Sequence, residues 1–361
     1  MKKIFLLTFS FSLCILLQAQ QQPYTVFLIG DAGKQATPGA TLQMLKAMVD
    51  TTPNSSVIFM GDNVYPAGLH LSKTPGDTTE SERNLLCQLK MVNNHPGYVF
   101  FVPGNHDWDE QLPGGLKAVK EEEKYIENYV YTGAQTSNDP GAKRLQFAPT
   151  AGLPGPESFS PVKGLRYIFI DTQWFLHFHK KDKLPGKTKK ETADIFFNRL
   201  DSMLAASAAL NERVVLLYHH PLFTNGGHGT AKQPLRFLVN YTPFQLLGLI
   251  GANRLLTQDI PQPRFKRMRN RFLAIQAKYK GIINASGHEH FLQFFQSGDD
   301  HFIVSGSGSK LSHKKMNKYP DLFTEDQQGG LVKLLYYPDG KVVAEYWGAT
   351  DKKLLKSFIL E

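Results

Sequence analysis

Cysteine is nearly absent from this 361-residue chain, which holds two, Cys14 and Cys87. Cys14 lies in an apolar N-terminal run, so Cys87 is left alone and no internal disulfide is expected to staple the folded part. Stability must then come from the core and from any bound metal. Low-complexity tracts and internal repeats are also missing, and no linker argues for an independent second domain. Hydrophobic residues make up 42% and charged residues 20%, the balance of a folded soluble chain with enough length for a large core. Acidic residues fall short of basic ones, giving a formal charge of +9. That balance suits anionic substrates or surfaces. It does not choose between phosphate esters, nucleic acid and lipid headgroups.

What is present begins with Lys2 and Lys3, an apolar run from Ile4 to Leu17, and then Gln18-Ala19-Gln20. A short basic region, an apolar core and a small residue before the cut describe a secretory signal peptide. A bilayer-spanning helix needs about 20 apolar residues, more than this run supplies. Residues 1–19 are therefore expected to be removed, leaving residues 20–361 as one exported domain, periplasmic or secreted. A retained N-terminal anchor is the alternative.

Five short apolar runs each end in a polar loop. Tyr24–Gly30 leads into Asp31, and Ser56–Met60 into Gly61-Asp62-Asn63. Tyr98–Val102 leads into Pro103-Gly104-Asn105-His106-Asp107. Val214–Tyr218 leads into His219-His220-Pro221, and Gly281–Ser286 into Gly287-His288-Glu289-His290. Runs this short, rich in β-branched residues and bounded by turn residues read as buried strands. Helical spacing is expected over 39–50, 79–92, 113–128 and 190–210. After His290 the strands crowd together, and Pro338-Asp339-Gly340 predicts a hairpin between the last two. The pattern predicts a layered α/β sandwich, with the later strands extending a second sheet. Residues 231–280 form an insertion with an apolar stretch at 244–250 and a basic run at 264–271. A solvated helical cap is the plain reading; contact with a membrane surface, a partner or a polyanionic substrate is the functional one.

Oxygen and imidazole groups converging from several loops suit hard or borderline metals. In an α/β sheet such loops meet beyond the carboxyl ends of the strands. The candidates are Asp31, Asp62, Tyr65, Asn105, His219, His288 and His290. The two oxygens of Asp62 allow it to bridge two cations about 3.5–4 Å apart. His288 and His290 are two residues apart, so in extended chain they face the same way. Tyr65 would give a phenolate, a hard anionic ligand suited to Fe³⁺.

The ordered series Gly30-Asp31-Ala32-Gly33, Gly61-Asp62-Asn63-Val64-Tyr65, Gly104-Asn105-His106-Asp107, His219-His220-Pro221 and Gly287-His288-Glu289-His290 resembles the calcineurin-like metallophosphoesterases. Within them it is most similar to the small, tartrate-resistant type of purple acid phosphatase. Gly33 stands where most of the superfamily has His, Tyr65 matches the purple branch's tyrosine, and His228-Gly229 fits that branch's further histidine. The resemblance implies two mixed sheets flanked by helices; the helical basic insertion at 231–280 is not part of the small-enzyme pattern. It implies Fe³⁺ on Asp31, Asp62, Tyr65 and His290, and a divalent ion (Fe²⁺, Zn²⁺ or Mn²⁺) on Asp62, Asn105, His219 and His288. It also implies in-line attack on phosphate monoesters by a metal-held hydroxide. His106, oriented by Asp107, and His228 are the candidate catalytic residues for contacting the phosphate and protonating the leaving group.

Departures from the pattern are Ala32, in place of a bulky aromatic and expected to reshape the floor near the first metal, and Glu289 in place of Asp. His220 is read as structural support. His177 and His179 are read as packing at strand spacing, and Asp171 as a support at the sheet edge. The glycines and serines at 305–309 are weak evidence for phosphate binding. A phosphodiesterase or nuclease using the same metals is the alternative activity, kept open by the basic insertion. A non-catalytic binding protein is disfavoured because every ligand position is filled. A small phosphorylated substrate is the expected partner.

Overall fold

The computed structural model describes residues 22–110, 112–132, 143–229 and 262–360. The expected signal peptide and residues 231–261 of the expected insertion lie outside the described residues.

The first sheet orders seven strands as β14-β13-β12-β1-β2-β3-β4. These are β1 (Tyr24–Ile29), β2 (Ser55–Met60), β3 (Tyr98–Val102), β4 (Leu145–Phe147), β12 (Gly330–Tyr336), β13 (Val342–Gly348) and β14 (Lys353–Leu360). The second sheet orders β11-β9-β10-β8-β7-β6-β5. Its members are β5 (Glu157–Val162), β6 (Leu165–Phe169), β7 (Arg213–Leu217), β8 (Ile283–Ser286), β9 (Leu292–Ser297), β10 (Asp300–Ser305) and β11 (Phe323–Glu325). Both sheets are mixed. In the first, β1 to β4 are parallel neighbours; in the second, β6 to β8 and β10 are.

Alternation along each strand sorts the core into layers. Val26, Leu28, Ile58 and Met60 point between the sheets and meet Tyr167, Phe169, Val215 and Leu217. Phe27, Ile29, Val57 and Phe59 point outward, onto α1 (Ala40–Val49), α2 (Glu80–Val92) and α3 (Gly115–Glu127). Ile168, Val214 and Leu216 pack against α4 (Thr172–Leu176), α5 (Lys189–Ala209) and α6 (Pro263–Gln276). Burial on both faces explains why these strands read as continuous apolar runs rather than as alternating ones. The result is a four-layer sandwich with both sets of parallel strands ending at one edge.

Two expectations need correction. The late strands do not all extend the second sheet. The β12–β13 hairpin forms as the Pro338-Asp339-Gly340 turn requires, but β12 pairs antiparallel with β1 in the first sheet. Strand alternation cannot choose between two sheets that share one apolar interlayer. His177 and His179 are not on a strand either. Asp171 caps α4 by accepting the Trp174 N–H (3.0 Å), and His177 closes that short helix.

Within the insertion, 263–276 is a helix whose Phe265, Met268 and Phe272 are buried against the second sheet's outer layer. Pro263 at its start supplies a preset φ where an N–H has no helical partner.

Candidate metal centre

Every loop motif ends a parallel strand at the common edge, and tight turns aim the side chains inward. Asp31, Asp62 and His288 have φ of 57°, 55° and 69°, left-handed backbone that ordinary residues adopt at a cost of about 1–3 kcal/mol each. Gly104 is required because a Cβ there would collide with the Asp62 backbone nitrogen and carboxylate. Gly33 is equally constrained: a Cβ would strike the Asn63 carbonyl. No side chain fits at position 33, so the space above Asp31 is filled instead by the Tyr65 hydroxyl.

The seven sequence candidates converge into two adjoining groups that share Asp62. In one, the Tyr65 hydroxyl lies 2.8 Å from Asp62 Oδ2, 3.0 Å from Asp31 Oδ1 and 3.4 Å from His290 Nε2. In the other, Asn105 Oδ1 lies 3.0 Å from both His219 Nε2 and His288 Nδ1. Those two nitrogens are 3.1 Å apart, and His219 Nε2 is 3.3 Å from Asp62 Oδ1. The two oxygens of Asp62 therefore face different groups.

The donor set fits a cation at each group. His219 Nδ1–H donates to the Met60 carbonyl (2.9 Å), so Nε2 turns its lone pair inward. Asp31 Oδ2 accepts from the His288 N–H (2.7 Å) and Asp62 Oδ1 from the His106 N–H (3.0 Å), fixing both carboxylates. Ligand atoms held about 2.1 Å from one ion stand roughly 3.0–3.4 Å from one another, the spacing seen here. Four acceptors crowd the second group, and in a metal-free chain only a proton can relieve them. Burial opposes a charge on His219, but the Asp62 and Asp31 carboxylates prevail and raise its pKa to about 9. Burial likewise opposes the Asp62 anion, and the His219 and His106 charges override it to hold its pKa well below the usual range. Tyr65 is pushed up by burial and by the two carboxylates it touches.

His220 is close enough to His219 and His288 to form a further ligand-like trio. Its Nδ1 is bound to Thr172 Oγ1 (2.8 Å), and its ring lies tilted against His288 with centroids 4.4 Å apart. It backs His288, the supporting place expected of it.

Three side chains hold the loops from behind. Asp107 does not orient His106, contrary to expectation. Its carboxylate accepts from the Gly104 N–H (2.7 Å) and the Val64 N–H (3.0 Å), tying the second and third motifs together. Burial and the Asp62 charge push its pKa up to about 7. His106 is instead held through Nδ1 by the Pro66 carbonyl and by Glu110 (3.3 Å), with Nε2 3.9 Å from Asp62 Oδ2. Asp171 accepts from Trp108 Nε1 (2.7 Å), bracing the segment just after His106. Glu289 accepts from Thr224 Oγ1 (3.0 Å) and the His228 N–H (3.1 Å). It holds the turn that sets the His228 ring 4.2 Å from His288.

A cavity of about 350 Å³ opens over the ligands and is walled by His106, His228, Lys310, His313 and Lys315. The lysines were not anticipated. Lys310 Nζ lies 4.3 Å above the Tyr65 ring, delivered by the 305–309 loop. Ser309 Oγ of that loop donates to the Asp31 carbonyl (2.5 Å), and the Gly308 N–H to the Gly30 carbonyl (3.0 Å). Ala32 lies in the core beneath Gly308, so its small size admits this loop rather than reshaping a metal floor. The sequence signal was the lysine directly after Gly306-Ser307-Gly308-Ser309.

A double sheet whose strand ends gather carboxylate, amide, phenol and imidazole groups into two adjoining clusters defines a metal-dependent phosphoesterase. The family profile described as calcineurin-like phosphoesterase matches residues 24–248, and the chain belongs to that family. Among solved structures it is similar to GAP50, the anchor in the inner membrane complex of Plasmodium, at 15% identity and a TM-score of 0.56. That match covers 94% of this chain and 89% of the other. A dimetal phosphatase from Danio rerio matches at 13% identity and a TM-score of 0.52, covering 94% and 99%. Purple acid phosphatase from yellow lupin (Lupinus luteus) seeds matches at 14% identity and 0.51, covering 93% of this chain and 53% of that one. At such identities the likeness is one of fold. No curated protein matches the chain in sequence.

Proposed function

We propose that the chain is an exported phosphatase that hydrolyses small phosphate monoesters at a two-metal centre of purple acid phosphatase type. In this reading Asp31, Asp62, Tyr65 and His290 hold Fe³⁺, and Asp62, Asn105, His219 and His288 hold a divalent ion. The observation that carries it is the pair of acceptor clusters split across the two oxygens of Asp62. Cations bound there supply charge neutralisation at the phosphoryl oxygens and acidify water at the centre.

The chain's own residues favour a monoester. His106, His228, Lys310 and Lys315 surround the cavity with N–H donors. A monoester dianion offers three non-bridging oxygens to them, whereas a diester offers two and brings a second substituent to accommodate. His106 Nε2 and His228 stand on the cavity wall, placed to contact a phosphate oxygen or to give a proton to the leaving alkoxide. The diesterase or nuclease reading drew on the basic run at 264–271. Arg264, Arg267 and Arg271 line a different cavity, and none of them lines the metal pocket.

The test compares hydrolysis of nitrophenyl phosphate and bis(nitrophenyl) phosphate by metal-replete mature protein, with Asp62→Ala as control. A monoester preference that the control loses is expected; a diester preference contradicts the reading. Export is tested separately by N-terminal sequencing of protein recovered outside the cytoplasm. A terminus just after Ala19 is expected, and an intact Met1 contradicts it.

A further inference from the structure

Between α4, the first turns of α5 and α6 lies a cavity of about 510 Å³ that shares no lining residue with the metal pocket. Six cations line it: Lys181, Lys189, Lys190, Arg264, Arg267 and Arg271. Among the described residues no acidic side chain does. Asp194 pairs with Arg271 (2.8 Å) from outside the wall, which leaves a large excess of positive charge in a concave space.

Aromatic rings fix three of these cations in place. Lys181 Nζ lies 4.4 Å over Trp174, the Arg264 guanidinium 4.1 Å over Phe178, and that of Arg271 3.9 Å over Phe197. Lys181 Nζ also donates to the carbonyls of Trp174 (2.5 Å) and His177 (3.2 Å). Burial, and the like charges of Arg264 and Lys189, depress the Lys181 pKa to about 7. A concave surface lined by one sign of charge concentrates counter-ions, here anions.

We propose that this groove is a second anion site, and that it binds a compact soluble oligophosphate, a small molecule carrying two or more phosphoryl groups. Six cations exceed what one phosphate can engage. The Arg267 guanidinium offers a forked donor set matched to phosphoryl oxygens, and Arg264 and Arg271 keep N–H groups beyond those given to the His177 carbonyl and Asp194. Nucleic acid is a poorer fit because the ring faces it would stack on are already covered by cations. A membrane surface is a poorer fit because the cations line a concavity.

The test titrates inorganic tripolyphosphate into the full chain carrying Asn105→Ala, which suppresses hydrolysis at the metal pocket, with calorimetry as the readout. Saturable binding is expected, weakening steeply as salt rises from about 50 to about 200 mM. Adding Lys189→Ala and Arg267→Ala should weaken it by about tenfold or more, whereas Lys353→Ala should not. The same substitutions in the wild-type background should leave monoester hydrolysis within about twofold, since neither residue touches the metal pocket. Trp174 fluorescence on tripolyphosphate addition gives a second readout in the wild-type chain. Three outcomes overturn the proposal: no binding, binding indifferent to the groove substitutions, or groove-dependent binding to phosphatidylglycerol vesicles without binding to tripolyphosphate.

Discussion

His288 Nδ1 lies 3.1 Å from His219 Nε2, a separation at which two imidazole lone pairs repel unless a proton or a metal sits between them. The Met60 carbonyl fixes the His219 tautomer, so the contact is built into the fold. In the metal-free chain the proton belongs to His219, whose pKa reaches about 9 against burial because of the Asp62 and Asp31 carboxylates. A divalent ion at this group must displace that proton. Apparent affinity for Zn²⁺ is therefore expected to rise about tenfold per pH unit between roughly pH 6.5 and 9 and then level off. Calorimetry in buffers of different ionisation enthalpy should record about one proton released per ion at this group. A pH-independent affinity contradicts the assignment.

Tyr65 gives a spectroscopic test. Burial and the flanking carboxylates hold its phenol protonated without metal, and without iron there is no charge transfer to give visible absorption. Loading with Fe³⁺ should produce a broad visible band from the phenolate. Tyr65→Phe should remove the band while leaving the fold intact. A band that survives in the variant places the tyrosine outside the coordination sphere.

Asn105→Ala and His219→Ala each delete one acceptor of the second group. Turnover is expected to fall at least about 10²-fold. Thermal stability of the metal-free chain should change by no more than about 2 kcal/mol, since each substitution also relieves acceptor crowding. Substantial residual turnover, with circular dichroism unchanged, argues against two-metal chemistry.

Glu122 is buried and hydrogen-bonded to Asp107, and burial with the Asp107 charge raises its pKa well above the ordinary value of 4.5. An acid whose folded pKa is raised stabilises fully below its unfolded pKa and loses that contribution as pH rises toward the folded value. Glu122→Gln keeps an acceptor for Asn63 Nδ2 (3.0 Å in the native chain) and removes the titration. Its melting temperature should match the wild type near pH 4.5 and exceed it increasingly toward pH 8. Glu122→Ala takes away one of the three acceptors of that amide, which keeps the Val102 carbonyl (2.9 Å) and Asp107 Oδ2 (3.3 Å), and empties a buried space; it should cost about 1–3 kcal/mol. A constant offset between Glu122→Gln and wild type across this range contradicts the picture.

Most of the strand framework was legible because doubly buried strands must be apolar along their whole length and must end in turn chemistry, as Tyr98–Val102 before Gly104 does. Sheet membership was not, because nothing in Leu331–Tyr337 tells it to pair with β1 rather than with β10. The seven candidate ligands were legible as polar residues directly after those strands. What supports them was not. The exchange of Asp107 from His106 to Gly104 depends on how three loops meet, and Lys310 reaches the cavity only because Gly308 settles on Ala32. The basic run at 264–271 showed its charge in the sequence, but not that α6 would turn it toward Lys181 and Lys189.

Asp62, with one oxygen toward each group, would be shared by two cations in one site. Metal content per chain, measured by plasma emission on protein reconstituted with iron and zinc and then desalted, tests it directly. Two ions per wild-type chain are expected, with one lost from Asn105→Ala and both weakened in Asp62→Ala. A single ion per active wild-type chain, or two ions retained in Asp62→Ala, contradicts it.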